Sequence, residues 1–385
     1  MEITAGKTLL VDGPAAVKII SGQASIFGCR LKQGKTYVMR PWRRYPIYIE
    51  TDTRLEITLG ADAKTLTVEE GSTVQGWREI VEKTGPGKVI AVCGRTDSGK
   101  TSLTTFAANY LVEKYGKCVV VSLDPGQCYF TSPTVVGAAF MNEPVHDLVN
   151  LKPFHQIPVG SPSAAACATR IAEAAEELNQ ILPDDAHVVI DVDGWVDGAL
   201  AISHKQLLLK TMNVSAAVVL GENTEELVNA LEQANVLVVK AQPSAYVKHR
   251  DLAERKKTRE WLYRKSLGEL TLKHVPASWV RLEAVCREID PHTLYRNAAA
   301  AILEAFNIKM DETLDAEIIM SKKRCGVICY LYDSSNRYKG LGIFLGMNKE
   351  KNFVKLLTKV ESEIAKIRLG RLVLSEEGDE IVQLD

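Results

Sequence analysis

Residues 94–101 have the composition and spacing of a phosphate-binding loop. They read G-R-T-D-S-G-K-T, which fits the pattern G-x-x-x-x-G-K-[ST]. Glycines let backbone N–H groups turn inward around phosphates, and the positive end of the following helix favours an anion. Lys100 supplies a cation for the β and γ phosphates, and the Thr101 hydroxyl is suited to Mg²⁺. The expected nucleotide contacts are Gly94, Arg95, Thr96, Asp97, Ser98, Gly99, Lys100, Thr101 and Ser102.

Asp124 follows a β-rich segment, residues 117–123, in the run V-V-V-S-L-D-P-G-Q. The end of this strand is expected beside the phosphate site, because ligands bind at the carboxyl ends of parallel strands. A carboxylate there can ligate Mg²⁺ or accept a proton from an attacking hydroxyl. The alternative is an aspartate that starts a Pro-Gly turn. Gln127 either orients a phosphate or nucleophile, or is a polar loop residue.

A second apolar segment, V-V-I-D-V-D-G-W at residues 188–195, contains two further candidates. Asp191 lies at the end of an apolar strand. This is the position of the acidic residue on the Mg²⁺ side of a nucleotide site. Gly194 and Trp195 place a large flat ring on the loop at the ligand edge of the sheet. This ring can stack on a base, or it can pack into the core.

Residues 248–265 carry eight basic and three acidic residues, a net charge of +5 in a chain whose formal net charge is −1. Arg255 and Arg259 are four residues apart in helix-forming sequence, so they share one helix face. Such a pair can close over the γ-phosphate and neutralise the charge that develops in phosphoryl transfer. The alternative is a solvated basic face, or one that only binds polyanions.

A smaller basic-aromatic cluster consists of Arg40, Trp42, Arg43 and Arg44. Its expected structure is a solvated turn with a packed tryptophan. The functional alternative is contact with a nucleotide or a nucleic acid.

The element pattern predicts an α/β protein with three domains. Short alternating segments with glycine turns predict a β-sandwich-like domain over residues 1–82. Alternating strands and helices predict a central P-loop domain with a parallel sheet over residues 83–308. A small β-rich or α+β domain is expected over residues 309–385.

The composition, with 46% apolar and 25% charged residues, is ordinary for a globular protein. The nearly balanced charge excludes a global basic field, so any nucleic-acid site must be local. The eight cysteines form no C-x-x-C pair, which favours buried thiols in a reducing cytosol. We find no signal peptide and no apolar run of about 18 residues, and therefore expect a soluble, cytoplasmic protein without a membrane partner.

Together these stretches resemble the RNA 5′-hydroxyl polynucleotide kinase family, and its archaeal branch in particular. The family includes the kinase subunit of the eukaryotic mRNA 3′-cleavage and tRNA-splicing machinery and the ribosomal-RNA-processing kinases. The resemblance rests on four motifs in the family's order: the loop 94–101, L-D-P-G-Q at 123–127 with Ser132-Pro133 after it, D-G-W-V-D-G at 193–198, and R-K-K-T-R-E-W-L-Y at 255–263. The family terms the third motif a clasp and the fourth an Arg-x-x-x-Arg lid.

The resemblance implies an ATP- and Mg²⁺-dependent kinase that transfers the γ-phosphate to the 5′-hydroxyl end of RNA, with DNA as a further acceptor. RNA-processing proteins are implied as partners. The roles implied are catalysis by Lys100, Asp124, Arg255 and Arg259, substrate binding by Gln127, Gly194 and Trp195, and metal binding by Thr101, Asp124 and Asp191.

The chain departs from the family pattern at Val192, where the clasp usually has a threonine. A hydroxyl is lost, and Asp191 or Asp193 is expected to supply the missing hydrogen bond. Two alternatives remain beside the active kinase. One is a non-catalytic ATP-binding scaffold in an RNA-processing complex, and the other is a switch NTPase whose lid moves on hydrolysis.

Overall fold

The computed structural model of the protein describes residues 1–69, 74–85, 88–286, 289–308, 316–348 and 351–384. Contacts divide the chain into two compact units. The first unit comprises Met1–Asp124, Gly137–His155 and Ala175–Thr258, and the second comprises Pro125–Val136, Gln156–Ala174 and Arg259–Asp385. The three-domain division expected from the sequence remains a prediction, and its second boundary adjoins residues 309–315, which lie outside the described residues.

Residues 1–69 form two β-sheets of the first unit, in the orders β1-β8-β3-β6 and β5-β4-β7-β2-β9. The strands are β1 Glu2–Ile3, β2 Thr8–Asp12, β3 Ala15–Ser21, β4 Ala24–Ile26, β5 Cys29–Arg30, β6 Thr36–Met39, β7 Arg44–Ile49, β8 Thr53–Leu59 and β9 Lys64–Val68. Burial alternates along β3 and β7, as the period of two requires for strands with one face in a core. The predicted all-β structure is therefore confirmed for residues 1–69, but it is wrong for residues 74–82, which are helical.

A helix that the sequence analysis did not identify, α1 Val74–Lys83, follows these sheets. Its Trp77 is buried, with ring centroids 6.4 Å from Phe27 and 5.9 Å from Phe106. Trp77 and Val81 are four residues apart and both are buried. This i, i+4 apolar pair was the available signal for the helix.

The central sheet has the order β13-β12-β11-β14-β10-β15-β16. Its strands are β10 Val89–Gly94, β11 Cys118–Leu123, β12 Val135–Met141, β13 Pro153–Pro158, β14 Val188–Val192, β15 Ala216–Leu220 and β16 Leu237–Ala241. The accompanying helices are α2 Lys100–Tyr115, α3 Ala168–Ile181, α4 Ala199–Thr211, α5 Glu225–Gln233 and α6 Leu252–Leu267. Five strands are parallel, as predicted, but β12 pairs with β11 antiparallel, so the sheet is mixed.

The second unit contains a sheet of order β17-β21-β20-β19-β22-β18, with one further strand, β23, paired to β22. The elements are β17 Thr271–Pro276, β18 Arg281–Ala284, α7 Pro291–Ala305, α8 Ala316–Lys323, β19 Cys325–Tyr332, β20 Tyr338–Asn348, β21 Phe353–Thr358, β22 Lys366–Ser375 and β23 Glu380–Gln383. Most pairings are antiparallel, and β18 runs parallel to β22. Strands β19 to β23 lie within residues 309–385, where β-rich or α+β structure was expected, whereas β17 and β18 precede that range and were not predicted.

Short 3₁₀ turns complete the described structure at Leu148–Asn150, Ala165–Cys167 and Ala277–Trp279. No helix within the described ranges is both long and apolar enough to span a membrane. All eight cysteines are free thiols, and seven of them are buried, as the sequence predicted, while Cys286 is half-buried.

Candidate phosphoryl-transfer site

The segment 94–101 forms a tight loop between β10 and α2, and its backbone explains its residue types. Gly94 has φ +143°, and a Cβ added there would lie 2.4 Å from the carbonyl oxygen of Leu220. Gly99 begins α2 with φ +95°, and no side chain caps this helix N-terminus. The first N–H groups of α2 therefore have no side-chain acceptor at the cap, the arrangement that suits an anion.

Two polar side chains lie buried inside this loop. The Lys100 ammonium donates a hydrogen bond to the carbonyl oxygen of Arg95 at 2.8 Å, so the lysine curls back over the loop. The Ser98 hydroxyl is buried and has no hydrogen-bond partner among the residues that the structure describes. A buried polar atom without a partner is rare, and both groups fit the oxygen atoms of a bound phosphate.

Thr101 and Asp191 join the loop to β14. The Thr101 hydroxyl donates to Oδ2 of Asp191 at 2.7 Å, while Oδ1 of Asp191 is buried without a partner among the described residues. Burial raises the pKa of Asp191 to about 7, with Lys100 lowering it and Asp124 raising it further. An oxygen-only donor set around an unsatisfied carboxylate oxygen fits Mg²⁺, which usually takes one or two carboxylates and completes its shell with phosphate and water.

Asp124 comes directly after β11, which pairs in parallel with β14. The register places Ser122 opposite Asp191 and Leu123 opposite Val192. Asp124 and Asp191 therefore lie at the same edge of the sheet, and Asp124 contributes to the raised pKa of Asp191. No three His, Cys, Asp or Glu side chains form a metal cage in the part of the chain that the structure describes.

The clasp motif contacts the phosphate loop directly. A Cβ added at Gly194 would lie 2.4 Å from Oγ1 and 2.8 Å from the backbone nitrogen of Thr96, so only glycine fits. Trp195 donates its backbone N–H to Oδ1 of Asp193 at 2.9 Å. The ring of Trp195 is half-buried, with its centroid 5.6 Å from that of His204. Base stacking by Trp195 remains a prediction.

Asp193 supplies the polar side chain that holds the clasp. Val192, by contrast, is a buried apolar residue of β14. Burial alone would raise the pKa of Asp193. Lys205, at 2.6 Å, outweighs that effect together with the hydrogen bond from the Trp195 N–H and the nearby His204 ring, whose Nε2 lies 3.7 Å from Oδ2, and lowers the pKa to about 2. Of the two aspartates expected to replace the missing hydroxyl, Asp193 makes the hydrogen bond to the clasp backbone.

The basic segment begins in the first unit, where the structure brings Arg255 to the phosphate loop. Its Nη2 lies 3.3 Å from Oδ2 of Asp97, and Asp97 is also paired with Arg250. Sequence analysis identified neither this role of Asp97 nor Arg250. The only sequence signal for this pairing was that Asp97 is an acidic residue in a loop expected to bind anions.

Two residues predicted to act at the site, Arg259 and Gln127, belong to the second unit. Arg259, on α6, donates to both carboxylate oxygens of Glu380 at 2.6 and 2.7 Å. Gln127 accepts a hydrogen bond on Oε1 from the Tyr129 hydroxyl at 2.9 Å. Their catalytic and substrate-binding roles remain predictions.

The turn at residues 40–44 corrects one expectation, because it is not solvated. Arg40 and Arg43 are buried and donate to the carboxylate of Asp147 at 2.7 and 2.8 Å. Burial raises the pKa of Asp147, but the two arginines outweigh it and hold the pKa well below its usual range. Arg44 pairs with Asp12 at 2.8 Å. No local pattern in the sequence indicates the distant partner Asp147.

The strand–loop–helix unit, the threonine–carboxylate pair and the second aspartate define a P-loop nucleotide-binding protein. Residues 94–266 match the family model described as mRNA cleavage and polyadenylation factor CLP1 P-loop. The match runs from the phosphate loop into α6.

The similar curated proteins extend over most of the chain. The polyribonucleotide 5′-hydroxyl-kinase of Pyrococcus furiosus is 24% identical over 80% of this chain and 93% of its own length. That of Methanocaldococcus jannaschii is 24% identical over 80% and 92%. Among solved structures, Clp1p in a complex with Pcf11p has a TM-score of 0.69 and 14% identity, covering 96% of both chains. The resemblance inferred from the four motifs is confirmed, and the structural match supports the same fold.

Proposed function

We propose that this protein is an ATP-dependent polynucleotide 5′-hydroxyl kinase that transfers the γ-phosphate of ATP to the 5′-hydroxyl end of RNA. The observation that carries the proposal is the pairing of a complete phosphate loop with two carboxylates, Asp124 and Asp191, at one sheet edge. Archaeal relatives matched over most of the chain bear the name of this activity.

In the proposed reaction the 5′-oxygen of RNA forms a bond to the γ-phosphorus, and the bond to the β–γ bridging oxygen breaks. ADP leaves, and the hydroxyl proton passes to Asp124 acting as general base. Lys100, Arg255 and Arg259 share the charge that develops on the transferring group. Thr101, Asp191 and Asp124 would hold Mg²⁺, which supplies further charge neutralisation when it is bound.

The acceptor is proposed to lie beside the clasp, with Gly194 and Trp195 shaping its site and Gln127 orienting the reacting groups. The basic segment, residues 248–265, attracts the polynucleotide by charge. DNA is proposed as a further acceptor, because phosphate contacts do not distinguish the two backbones. The scaffold alternative loses its supporting observation, since Asp193 anchors the clasp despite Val192.

We further propose a cytoplasmic location and RNA-processing proteins as partners. The free state of all eight cysteines supports a reducing compartment. A solved structure of similar fold contains Clp1p with Pcf11p, which supports the search for partner proteins.

The test is incubation of the protein with γ-labelled ATP, Mg²⁺ and an RNA oligonucleotide that ends in a 5′-hydroxyl. We expect label at the RNA 5′ end, and a loss of at least about 100-fold in the Asp124→Asn variant, the range of general-base contributions. An otherwise identical RNA with a 5′-phosphate is the control and should accept no label. Absence of transfer by the wild type would overturn the proposal.

A further inference from the structure

Asp97, in the phosphate loop, is almost fully buried beneath Arg250. Its side chain is 3% exposed. Arg250 donates three hydrogen bonds to it: from the backbone N–H to Oδ2 at 3.1 Å, from Nε to Oδ1 at 3.0 Å, and from Nη2 to Oδ1 at 2.5 Å. Such multidentate guanidinium–carboxylate contacts fix orientation as well as distance. Asp97 itself has φ +59°, so its backbone is held in an uncommon conformation.

Arg250 also determines where Arg255 lies. Its carbonyl oxygen accepts a hydrogen bond from Nε of Arg255 at 3.2 Å. Nη2 of Arg255 lies 3.3 Å from Oδ2 of the same Asp97 carboxylate. The Arg255 guanidinium is thus held at two points, and both points depend on the contact between Arg250 and Asp97.

Helix α6 starts immediately after this contact. Asp251 accepts the backbone N–H of Glu254 on its side chain at 2.7 Å and that of Arg255 on its carbonyl at 3.1 Å. This is the arrangement of a helix N-cap. Because Arg250 directly precedes the cap, its attachment to the phosphate loop fixes the beginning of the helix that carries Arg255.

The charges show which of the two arginines can move. One carboxylate, Asp97, is shared by two guanidinium groups, so one positive charge is not balanced within this trio. Arg250 has three hydrogen bonds to Asp97, whereas Arg255 has a single 3.3 Å contact to Asp97. The side chain of Arg250 is only 13% exposed, and that of Arg255 is 31% exposed. Arg255 is the arginine that can exchange its carboxylate partner for a phosphate oxygen at modest cost.

We propose that Arg250 is a positioning residue of the kinase, which clamps α6 to Asp97 and so presents Arg255 to the transferring phosphate. When the triphosphate occupies the loop, Arg255 exchanges Asp97 for phosphate oxygens, and Arg250 remains on Asp97. This role rests on the proposed kinase function. Neither Arg250 nor Asp97 contacts the acceptor hydroxyl in this account, so both act through Arg255.

The kinetic test compares Arg250→Gln, Asp97→Asn and the double variant in the phosphate-transfer assay. We expect each single variant to lower kcat by about 10- to 100-fold, the range that misplacement of a catalytic group produces, with the KM for ATP changed less than about threefold. The double variant should be no slower than the slower single variant, because both changes break the same contact. Independent, multiplicative losses, or a raised KM with unchanged kcat, would overturn the proposal.

Two further variants separate positioning from general charge and from folding. Lys257→Gln removes one charge from an exposed position on α6, and its effect should be confined to the KM for RNA. Arg250→Lys keeps the charge without the planar fork, and should have an intermediate kcat and an unchanged thermal midpoint. If Lys257→Gln lowers kcat as much as Arg250→Gln, the proposal is wrong.

Amide hydrogen exchange tests the clamp without reference to activity. In nucleotide-free protein, the N–H groups of Arg250, Glu254 and Arg255 should exchange faster in Asp97→Asn than in the wild type. This result would support the clamp even if no RNA were phosphorylated, so failure of the kinase proposal and failure of the clamp are distinguishable. Unchanged exchange at these amides would overturn the clamp.

Discussion

The Thr101 hydroxyl and the Asp191 carboxylate are joined by a 2.7 Å hydrogen bond, and the second oxygen of Asp191 is buried with no partner among the described residues. The pair connects the phosphate loop to the sheet edge that also carries Asp124. Without a cation, a buried carboxylate in this position is costly to ionise. The arrangement supports the proposal that Thr101, Asp191 and Asp124 hold a divalent cation together with the nucleotide.

This arrangement makes the stability of the nucleotide-free protein depend on pH through Asp191. Its pKa is raised from the ordinary 3.8 to about 7, so the folded state keeps a proton that the unfolded state releases. The resulting stabilisation is complete below pH 4 and is lost as the pH rises through about 7. We expect Asp191→Asn, which stays neutral, to exceed the wild type in stability by on the order of 2 kcal/mol at pH 8. Denaturant unfolding at pH 5 and pH 8 measures the difference, and an equal difference at both pH values would contradict it.

The contact between clasp and phosphate loop is tested by Gly194→Ala. Its Cβ would lie 2.4 Å from Oγ1 of Thr96 and 2.8 Å from the Thr96 backbone nitrogen, so the loop must shift. We expect the Kd for ATP to rise by at least about tenfold, about 1.4 kcal/mol. Gly76→Ala is the matched control, because a Cβ there meets nothing within 4 Å and its helical position favours alanine. Equal ATP affinity in both variants, measured by calorimetry, would refute the contact.

The buried pair of Lys205 and Asp193 holds the clasp loop in place. Lys205→Met leaves the Asp193 carboxylate buried without its ammonium partner, and should cost about 3–5 kcal/mol. Combining it with Asp193→Asn should recover part of this loss, because no uncompensated charge remains. In the wild type, the contribution of Asp193 to the free energy of unfolding should be present above pH 4. It should be lost as the pH falls towards 2, since the pKa of Asp193 is depressed. Additive losses in the double variant would argue against a coupled pair.

The two arginines of the lid motif should differ in what their removal does. Arg255→Ala should lower kcat far more than it raises the KM for ATP, if the residue acts mainly on the transition state. Arg259→Ala should lower kcat in the same way and also reduce stability by about 1–3 kcal/mol, because it leaves the buried Glu380 carboxylate without its bidentate donor. Steady-state kinetics with thermal unfolding separates these effects. Unchanged turnover with weaker ATP binding would indicate a simple binding role.

Local patterns identified the residues at strand ends, because the loop, Asp124 and Asp191 each follow or close an apolar run. The parallel strands of the central sheet were equally clear. The antiparallel direction of β12 was not predicted. The residues of this strand are nearly all buried, so they show no alternation of buried and exposed positions from which a strand direction can be inferred. Helix α1 was missed although Val74, Trp77, Ile80 and Val81 recur at helical spacing, because this short stretch lies between glycine-containing segments.

Long-range partners could not be predicted from the sequence. Asp147 pairs with Arg40 and Arg43 from more than one hundred residues away, and Asp97 pairs with Arg250 across 153 residues. Charged residues in isolation look like surface residues, and only the fold shows which of them lose water and must be paired. The resemblance to a lid suggested that the basic segment acts at the phosphate loop, but the contacts of Arg250 and Arg255 with Asp97 came only from the structure.

The most direct test of the account compares the fates of the γ-phosphate in the same reaction. Wild type and Asp124→Asn are incubated with γ-labelled ATP, Mg²⁺ and 5′-hydroxyl RNA, and labelled RNA and free phosphate are quantified together. The account predicts that the wild type places the label on RNA 5′ ends with little free phosphate, and that Asp124→Asn loses this transfer. Label released mainly as free phosphate, or transfer undiminished by Asp124→Asn, would contradict it.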